Sequence, residues 1–290
     1  MTSKTAESFE RAAVLGAGTM GHGIAQVCAQ AGLTVRIYDV NDAALQRGLA
    51  GIDSFLAKGV AKGKVKAEDA AATRARVSGT TSLAEACAGA DVVIEAAPEK
   101  LALKQSLFAE AAAAAPAGAL LASNTSSLSI GAIAAGLPAP ERFLGMHFFN
   151  PVPLMSLLEI VRGPASADAA VAAAVALGRR LGKEPIVVRD APGFASSRLG
   201  VAIGLEAIRM VEDGVASAAD IDKAMELGYR HPMGPLRLTD LVGLDVRLGI
   251  AEYLSRELGP RFEPPRLLRE MVAAGKLGKK SGQGFYNWAE

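Results

Sequence analysis

The sequence predicts an α/β protein: a doubly wound, mostly parallel sheet over residues 1–190, followed by a smaller all-α C-terminal domain over 191–290. Three observations carry that expectation. Short apolar runs alternate with segments of helical period, as in strands covered on both faces by crossover helices. A glycine-rich turn, Gly16-Ala-Gly-Thr-Met-Gly21, joins the first such run to the first helix. Beyond Pro192 the strand signal stops and only helical periods continue.

Bulk properties exclude several classes. With Lys+Arg 31 against Asp+Glu 30, the chain carries no electrostatic footprint for nucleic acid or an anionic membrane surface. No apolar run is long enough for a membrane span. The first ten residues hold acids and no apolar core, so no secretory leader is expected and the cytoplasm is the expected location. Cys28 and Cys87 are too few and too isolated for a disulfide framework or a zinc site, and no metal is expected. The alanine-rich tracts at 111–115 and 169–176 keep a helical period with Leu, Val and Phe, and alanine is the best helix former.

Residues 12–15 read as the first strand. In the turn that follows, Gly16 permits a tight bend, Gly18 lets the backbone approach a pyrophosphate, and Gly21 allows close helix–strand packing. The pyrophosphate would rest on the free N–H groups of Gly18, Thr19, Met20 and Gly21 at the start of a helix. A second strand, Thr34–Tyr38, ends in Asp39, 21 residues after Gly18, where a carboxylate can bind both hydroxyls of an adenosine ribose. The combination is that of a Rossmann-type nucleotide domain. Asp39 would repel a 2′-phosphate, so NAD is favoured over NADP; Arg36, inside the strand, opposes this weakly.

A helical pattern from Asn41 ends at Lys58, Lys62, Lys64 and Lys66 among glycines. That cluster is either a solvated helix end or a basic patch for a phosphorylated substrate. Further strands are expected at Val77–Thr80, 91–97, Leu120–Ser123 and 143–147, with a helix over 99–114. Ligands in such sheets bind beyond the carboxyl ends of the strands, where Glu99, Ser126 and His147 would converge.

The chemistry is concentrated in residues 120–159. His147 is one of 3 histidines and the only one at a predicted strand end. An imidazole is the usual proton carrier near neutral pH. Glu159 follows the turn Pro151-Val-Pro153. If 155–161 runs back beside the His147 strand, its carboxylate reaches the imidazole and fixes its tautomer. Ser126 sits at a strand-to-helix junction. Ser123, Thr125 and Ser127 read as caps and turn formers, and Asn150 as an Asx turn before proline. Spacing does not decide which hydroxyl faces a substrate.

In the last third, helices are expected at 194–211, 218–227, 236–253 and 266–274, separated by Gly214, Gly228 and Pro264-Pro265. Ser217-Ala-Ala-Asp220 resembles a capping box with Asp in place of Glu. His231 before Pro232 reads as a turn, and Tyr286 and Trp288 as packing residues. The apolar helical faces outnumber what one small domain needs, so a homodimer is expected.

Several motifs occur together and in order: Gly16-Ala-Gly-Thr-Met-Gly21, Ser123-Asn-Thr-Ser-Ser127, His147-Phe-Phe-Asn-Pro-Val-Pro153 with Glu159, Asp190-Ala-Pro-Gly-Phe194, His231-Pro-Met-Gly-Pro235 and Gly278-Lys-Lys-Ser-Gly-Gln-Gly-Phe-Tyr286. Over essentially its whole length the chain resembles the short-chain L-3-hydroxyacyl-CoA dehydrogenases, the 3-hydroxybutyryl-CoA dehydrogenase family. The resemblance implies His147 as general base oriented by Glu159, with Ser126 and Asn150 contacting substrate and the nicotinamide region. It implies Asp39 on the ribose, Glu99 and Lys104 lining the NAD site, Lys280 reaching it from the chain's end, and Lys62 on coenzyme A. It also implies a dimer. One position departs: the family commonly carries asparagine before the Arg-Leu that follows Pro-Gly-Phe, and here Ser197 stands there. A shorter hydrogen-bonding group puts rate and chain-length preference in doubt more than reaction type. The expected activity is NAD-dependent oxidation of an L-3-hydroxyacyl-CoA to the 3-ketoacyl-CoA. A dehydrogenase of a free hydroxy acid, such as a sugar acid or carnitine, is disfavoured by the lysine cluster. A catalytically silent NAD-binding protein is disfavoured by the presence of both His147 and Glu159.

Overall fold

Apolar strands that need cover on both faces set the architecture of the first of two units. The computed structural model describes residues 8–288, and packing divides the chain after Asp190. In the first unit β1 (Arg11–Leu15), α1 (Thr19–Gln30), β2 (Thr34–Tyr38), α2 (Asp42–Ala61), α3 (Ala67–Ala75), β3 (Val77–Thr80), α4 (Leu83–Cys87), β4 (Val92–Glu95), α5 (Leu101–Ala114) and β5 (Leu120–Ser123) come first. They are followed by α6 (Ile130–Ile133), β6 (Phe143–Phe148), β7 (Leu157–Arg162), α7 (Asp168–Arg180) and β8 (Glu184–Arg189). The eight strands form one sheet in the order β3-β2-β1-β4-β5-β6-β7-β8. Every neighbouring pair is parallel except β6–β7.

The doubly wound reading therefore holds, and the physical reason is visible strand by strand. Every residue of β4, β5 and β6 is buried, as is β1 after Arg11. On one face Ile24, Val27 and Cys28 of α1 join Val14, Ile37 and Ile94 in the main core. Near its other helices, Phe108 of α5 meets Phe143 of β6 edge to face, with centroids 4.6 Å apart.

Three expectations change. The single helix anticipated at 236–253 is two helices, because Gly243 adopts φ +102 and breaks the hydrogen-bond ladder. The helix anticipated from residue 194 begins at Ser196, since Phe194 has φ +50. An eighth strand, β8, was not anticipated. It lies at the sheet edge, tolerates Pro185 there, and leaves Ile186 and Val187 exposed, so it lacks the buried-strand signature. Helices α3, α4 and α6 were not anticipated either: α4 and α6 are too brief to show a period, and α3 buries only Thr73.

The second unit holds α8 (Ser196–Glu212), α9 (Ala218–Tyr229), α10 (Pro235–Val242), α11 (Leu244–Leu258) and α12 (Arg266–Ala273) around a core that includes Val201, Leu205, Ile208, Leu236 and Leu254. Ser217 caps α9 by accepting from the Asp220 N–H at 3.1 Å. His231 lies in the turn that ends α9, after Arg230 at φ +57. Two buried acids stitch the chain's end to the helices. Asp222 accepts from the Leu236 and Arg237 N–H groups and from the Tyr286 hydroxyl. Asp240 accepts from the Phe285 and Tyr286 N–H groups and the Trp288 indole. Burial and the Asp222 carboxylate push the Tyr286 phenol up.

The leader-free start inferred from sequence lies, for residues 1–7, outside the described residues. Among the described residues no helix is long and apolar enough to cross a membrane, and no three His, Cys, Asp or Glu side chains gather to hold a metal ion. Both thiols are buried; burial pushes Cys28 up to about 12 and Cys87 to about 11. A raised thiol pKa leaves almost no reactive thiolate near neutrality. The expected outcome is that native protein at pH 8 takes up no aromatic-disulfide thiol reagent and that denatured protein takes up two equivalents. Rapid native labelling of either cysteine would contradict this burial.

Candidate active site

Strand order reverses at β1, which pairs with β2 on one side and β4 on the other. Crossovers leave in opposite directions there and open a crevice at the carboxyl edge of the sheet. Gly16 lies at that point with φ +106, and a Cβ on it would stand 2.8 Å from the Ala96 carbonyl oxygen. Gly21 is packed harder still: its Cβ would be 1.7 Å from the Gly16 carbonyl oxygen. Gly18 differs from both. Its φ of −67 suits any residue, and a Cβ there would meet nothing within 4 Å. Its absence keeps the space in front of the loop open.

Behind that space α1 starts without a side-chain cap or any acid in its first turn. The first intrahelical bond runs from the His22 N–H to the Gly18 carbonyl, so the N–H groups of Thr19, Met20 and Gly21 precede the ladder. Asp39, at the end of β2, accepts from the Ala17 N–H at 3.0 Å, which locks the carboxylate beside the loop. Arg36 is held elsewhere, donating to the Glu85 carbonyl at 2.7 Å. Open backbone donors, a helix N-terminus and a carboxylate just after the second strand fit a dinucleotide without a 2′-phosphate.

Across β1, the loops after β4 and β5 are tied together by acids. Glu95, the last residue of β4, is fully buried at 0% exposure and accepts from the Lys104 ammonium, the Ala97 N–H and the Ser123 hydroxyl, each at 2.6 Å. Glu99 accepts from the Thr125 hydroxyl, from the Ser126 N–H at 3.0 Å, and from the Ser126 hydroxyl at 3.5 Å. Ser123 and Thr125 also order the turn, accepting from the Thr125 N–H and from the Ser127 and Leu128 N–H groups respectively. Lys104, which the resemblance places along the NAD site, is 1% exposed and lies beneath these loops.

The histidine and its carboxylate come from the antiparallel pair. His147, expected to end its strand, is the penultimate residue of β6, which runs on to Phe148, and stands directly opposite Glu159 in β7. Opposed side chains on one sheet face are neighbours. Nδ1 lies 2.8 Å from the Glu159 carboxylate, with His147 6% and Glu159 0% exposed. An ionised carboxylate only accepts, so Nδ1 carries the proton in the neutral ring and Nε2 the lone pair. The Phe149 ring packs on the imidazole at 4.4 Å.

Asn150 follows, exposed, joined to Pro151 by a cis peptide bond. Three supporting residues were not singled out from sequence. Asn124 accepts the Phe148 N–H at 2.8 Å and so ties the end of β5 to that of β6. Lys183 donates to the carbonyls of Val152 and Met155 at 2.6 and 2.8 Å, and burial lowers its pKa. Glu95 was hidden inside an apolar run. An acid in such a run is the one signal that marks it, because a buried charge needs partners. Lys58, Lys62, Lys64 and Lys66 are exposed at and beyond the end of α2. In the second unit Ser197 is half-buried in the first turn of α8, and the Lys280 ammonium pairs with Asp245 at 2.6 Å.

The glycine geometry separates binding from folding. Gly21→Ala is expected to lower stability by roughly 3 kcal/mol in denaturant unfolding, since the clash is with backbone. Gly18→Ala is expected to keep the wild-type unfolding midpoint while weakening NADH by roughly tenfold or more in a fluorescence titration. Equal behaviour of the two variants would refute the assignment.

Comparison with known proteins agrees with this geometry. Residues 11–191 match the model of the 3-hydroxyacyl-CoA dehydrogenase NAD binding domain, and residues 193–288 that of the 3-hydroxyacyl-CoA dehydrogenase C-terminal domain. A probable 3-hydroxybutyryl-CoA dehydrogenase of Bacillus subtilis (strain 168) is 46% identical over 278 residues, 96% of this chain and 96% of the relative. The crystal structure of M. tuberculosis FadB2 aligns with a TM-score of 0.94 at 43% identity, covering 96% of this chain and 99% of that one. That of (S)-3-hydroxybutyryl-CoA dehydrogenase PaaH1 from Ralstonia eutropha aligns with a TM-score of 0.92 at 44% identity, covering 98% and 100%. Sheet order, glycine loop and sequence similarity along both units agree: the chain belongs to the 3-hydroxyacyl-CoA dehydrogenase family, and its first unit is an NAD-binding domain.

Proposed function

We propose that the protein oxidises short L-3-hydroxyacyl-CoA thioesters, such as 3-hydroxybutyryl-CoA, to 3-ketoacyl-CoA with NAD. The observation that carries this reading is the His147–Glu159 pair at 2.8 Å, standing at the same sheet edge as the glycine loop. In this reading Nε2 of His147 takes the proton of the substrate hydroxyl. Glu159 holds Nδ1–H, fixes the ring, and stabilises the imidazolium as it forms. Bound NAD supplies the acceptor for the hydride that leaves C3. The Asn124 and Lys183 hydrogen bonds brace the chain on either side of Asn150 and so keep the loop after His147 in place. Ser126, held by Glu99, and Asn150 are the polar groups proposed to orient the substrate. Positioning of this kind carries a large share of catalysis when two reactants must meet in one geometry.

The exposed lysines at 58, 62, 64 and 66 support a coenzyme A thioester over a free acid, because only the former brings distant phosphates. Two measurements test the reading. With acetoacetyl-CoA and NADH, His147→Ala should lose roughly 10²–10⁴ of turnover, the usual worth of a positioned acid or base. NADH affinity should stay within about twofold of wild type. Loss of both together would make His147 a folding residue, and equal wild-type turnover of free acetoacetate would sink the thioester assignment.

We also propose that the chain is a homodimer through its helical unit. Leu199 and Ile203 on α8, Leu238, Leu241 and Val242 on α10, and Val246 on α11 are all exposed. Helices that pack together yet leave so many large apolar side chains to water carry the mark of a protein–protein interface. Light scattering should give twice the chain mass of 29.8 kDa, and Leu199→Asp with Leu241→Asp should return it to one. A wild-type monomer at micromolar concentration would overturn this assembly.

A further inference from the structure

Arg247 on α11 is, among the described residues, a buried charge without a counter-charge. It is 5% exposed, and its Nε–H lies in the interior with no hydrogen-bond acceptor. The acid two positions before it, Asp245, pairs with the Lys280 ammonium at 2.6 Å. Burial, with no neighbouring carboxylate to offset it, pulls the guanidinium down to about 10, which still leaves it ionised at neutral pH. Arginine rarely lies this deep unpaired, because desolvating the charge is costly unless an acceptor answers it.

The side chain runs along α8. A Cβ on Gly200 would stand 3.4 Å from its Nη1, and one on Gly204 would stand 3.5 Å from its Nε. Neither contact is a clash, yet a side chain longer than alanine's at Gly200 would roof over the guanidinium. Gly200 is half-buried, so the notch it leaves above Nη1 reaches the surface. Beside the notch lies the apolar face of α8, with Leu199 64% and Ile203 40% exposed. Helical spacing puts Leu199, Ile203 and Glu206 along one side of the helix, with Gly200 on its flank. The Glu206 side chain is 67% exposed and meets Arg209 at 3.3 Å, a surface pair that contributes little.

We propose that Arg247 is completed across the homodimer interface, where its guanidinium takes the carboxylate of Glu206 of the partner subunit. The proposal rests on the homodimer reading of the helical unit. In a two-fold interface the same face meets itself. When two copies of α8 cross antiparallel about Ile203, residues equally far before and after it come face to face. Glu206, three residues after Ile203, then stands over Gly200, three residues before it, and the notch admits its carboxylate to the guanidinium. The pair forms twice. A single copy holds an unanswered cation beneath an apolar surface, and association satisfies the one as it covers the other. The charge pair also fixes the register of the two helices, which apolar contacts alone leave loose.

Sedimentation equilibrium on the full chain supplies the test through the dimer dissociation constant. Arg247→Met keeps the bulk and removes the charge; it should raise that constant about tenfold or more for each of the two pairs. Glu206→Gln should act to a similar extent, and its exposed position leaves the fold of the single copy unchanged. The double variant should be no weaker than Arg247→Met alone, the mark of two groups that act on each other. Diluted to monomer, Arg247→Met should melt no lower than wild type. Additive losses from the two substitutions, or no loss from Glu206→Gln, would overturn the pairing. So would a wild-type melting temperature that rises with inorganic phosphate or chloride while that of Arg247→Met does not, since the guanidinium would then hold a small anion. A wild-type monomer would remove the dimer itself, whereas a wild-type dimer unmoved by either variant would overturn the pairing alone.

Discussion

The approach of two backbones at the point where the sheet reverses is the constraint on which the rest of the first unit depends. The loop after β1 passes so close to the start of the loop after β4 that Gly16 has no room for a side chain, and α1 is set so close to that loop that Gly21 has none either. This contact fixes where α1 begins, and with it the direction in which its unpaired N–H groups point. It also fixes the Glu95 loop, because the Ala96 N–H donates to the Leu15 carbonyl at 2.7 Å. From there the connection continues through hydrogen bonds rather than apolar packing: Glu95 to Ser123, Asn124 to Phe148, and His147 to Glu159. The ends of β4, β5 and β6 at the functional edge are each tied to a neighbouring strand by a polar side chain.

Those ties are costly to break singly. A buried ion pair contributes little net stability against an apolar replacement, but removing one partner strands the other and costs about 3–5 kcal/mol. Glu95 and Lys104 fall in that class, both having almost no exposed side-chain surface. Their retention in an otherwise aliphatic layer is better explained by what they hold in place than by stability.

Much of this was legible in the sequence because it rests on short-range rules. The glycine loop, the strand before it and Asp39 after it form a local pattern in which each residue has a steric or electrostatic reason, and β1, α1 and β2 were anticipated from it. The return of the chain after Pro153 was readable as a condition, that 155–161 run back beside the His147 strand, and β7 does so, with Glu159 opposite His147. What was not legible depends on partners distant in sequence. Nothing local marks Lys104 as buried, since lysine on a helix is ordinarily solvated and its partners emerge only once β4 and β5 are adjacent. β8 was hidden by its edge position, which relaxes the apolar pattern, and the break at Gly243 by the tolerance of helices for an occasional glycine.

The antiparallel β6–β7 pair has a consequence for how such a site varies. In a pleated strand, side chains alternate between faces, so the carboxylate opposite His147 is defined by parity. Residues 149–156 form no part of either strand, and their number is free so long as the two strands pair as they do. Deleting one residue inside β7 is another matter: it would turn Glu159 to the opposite face of the sheet and bring Leu158 or Ile160 to the imidazole. Length is forgiving between the strands and unforgiving within them. The His147–Glu159 hydrogen bond thus depends on the register of β6 and β7 rather than on the length of the segment between them.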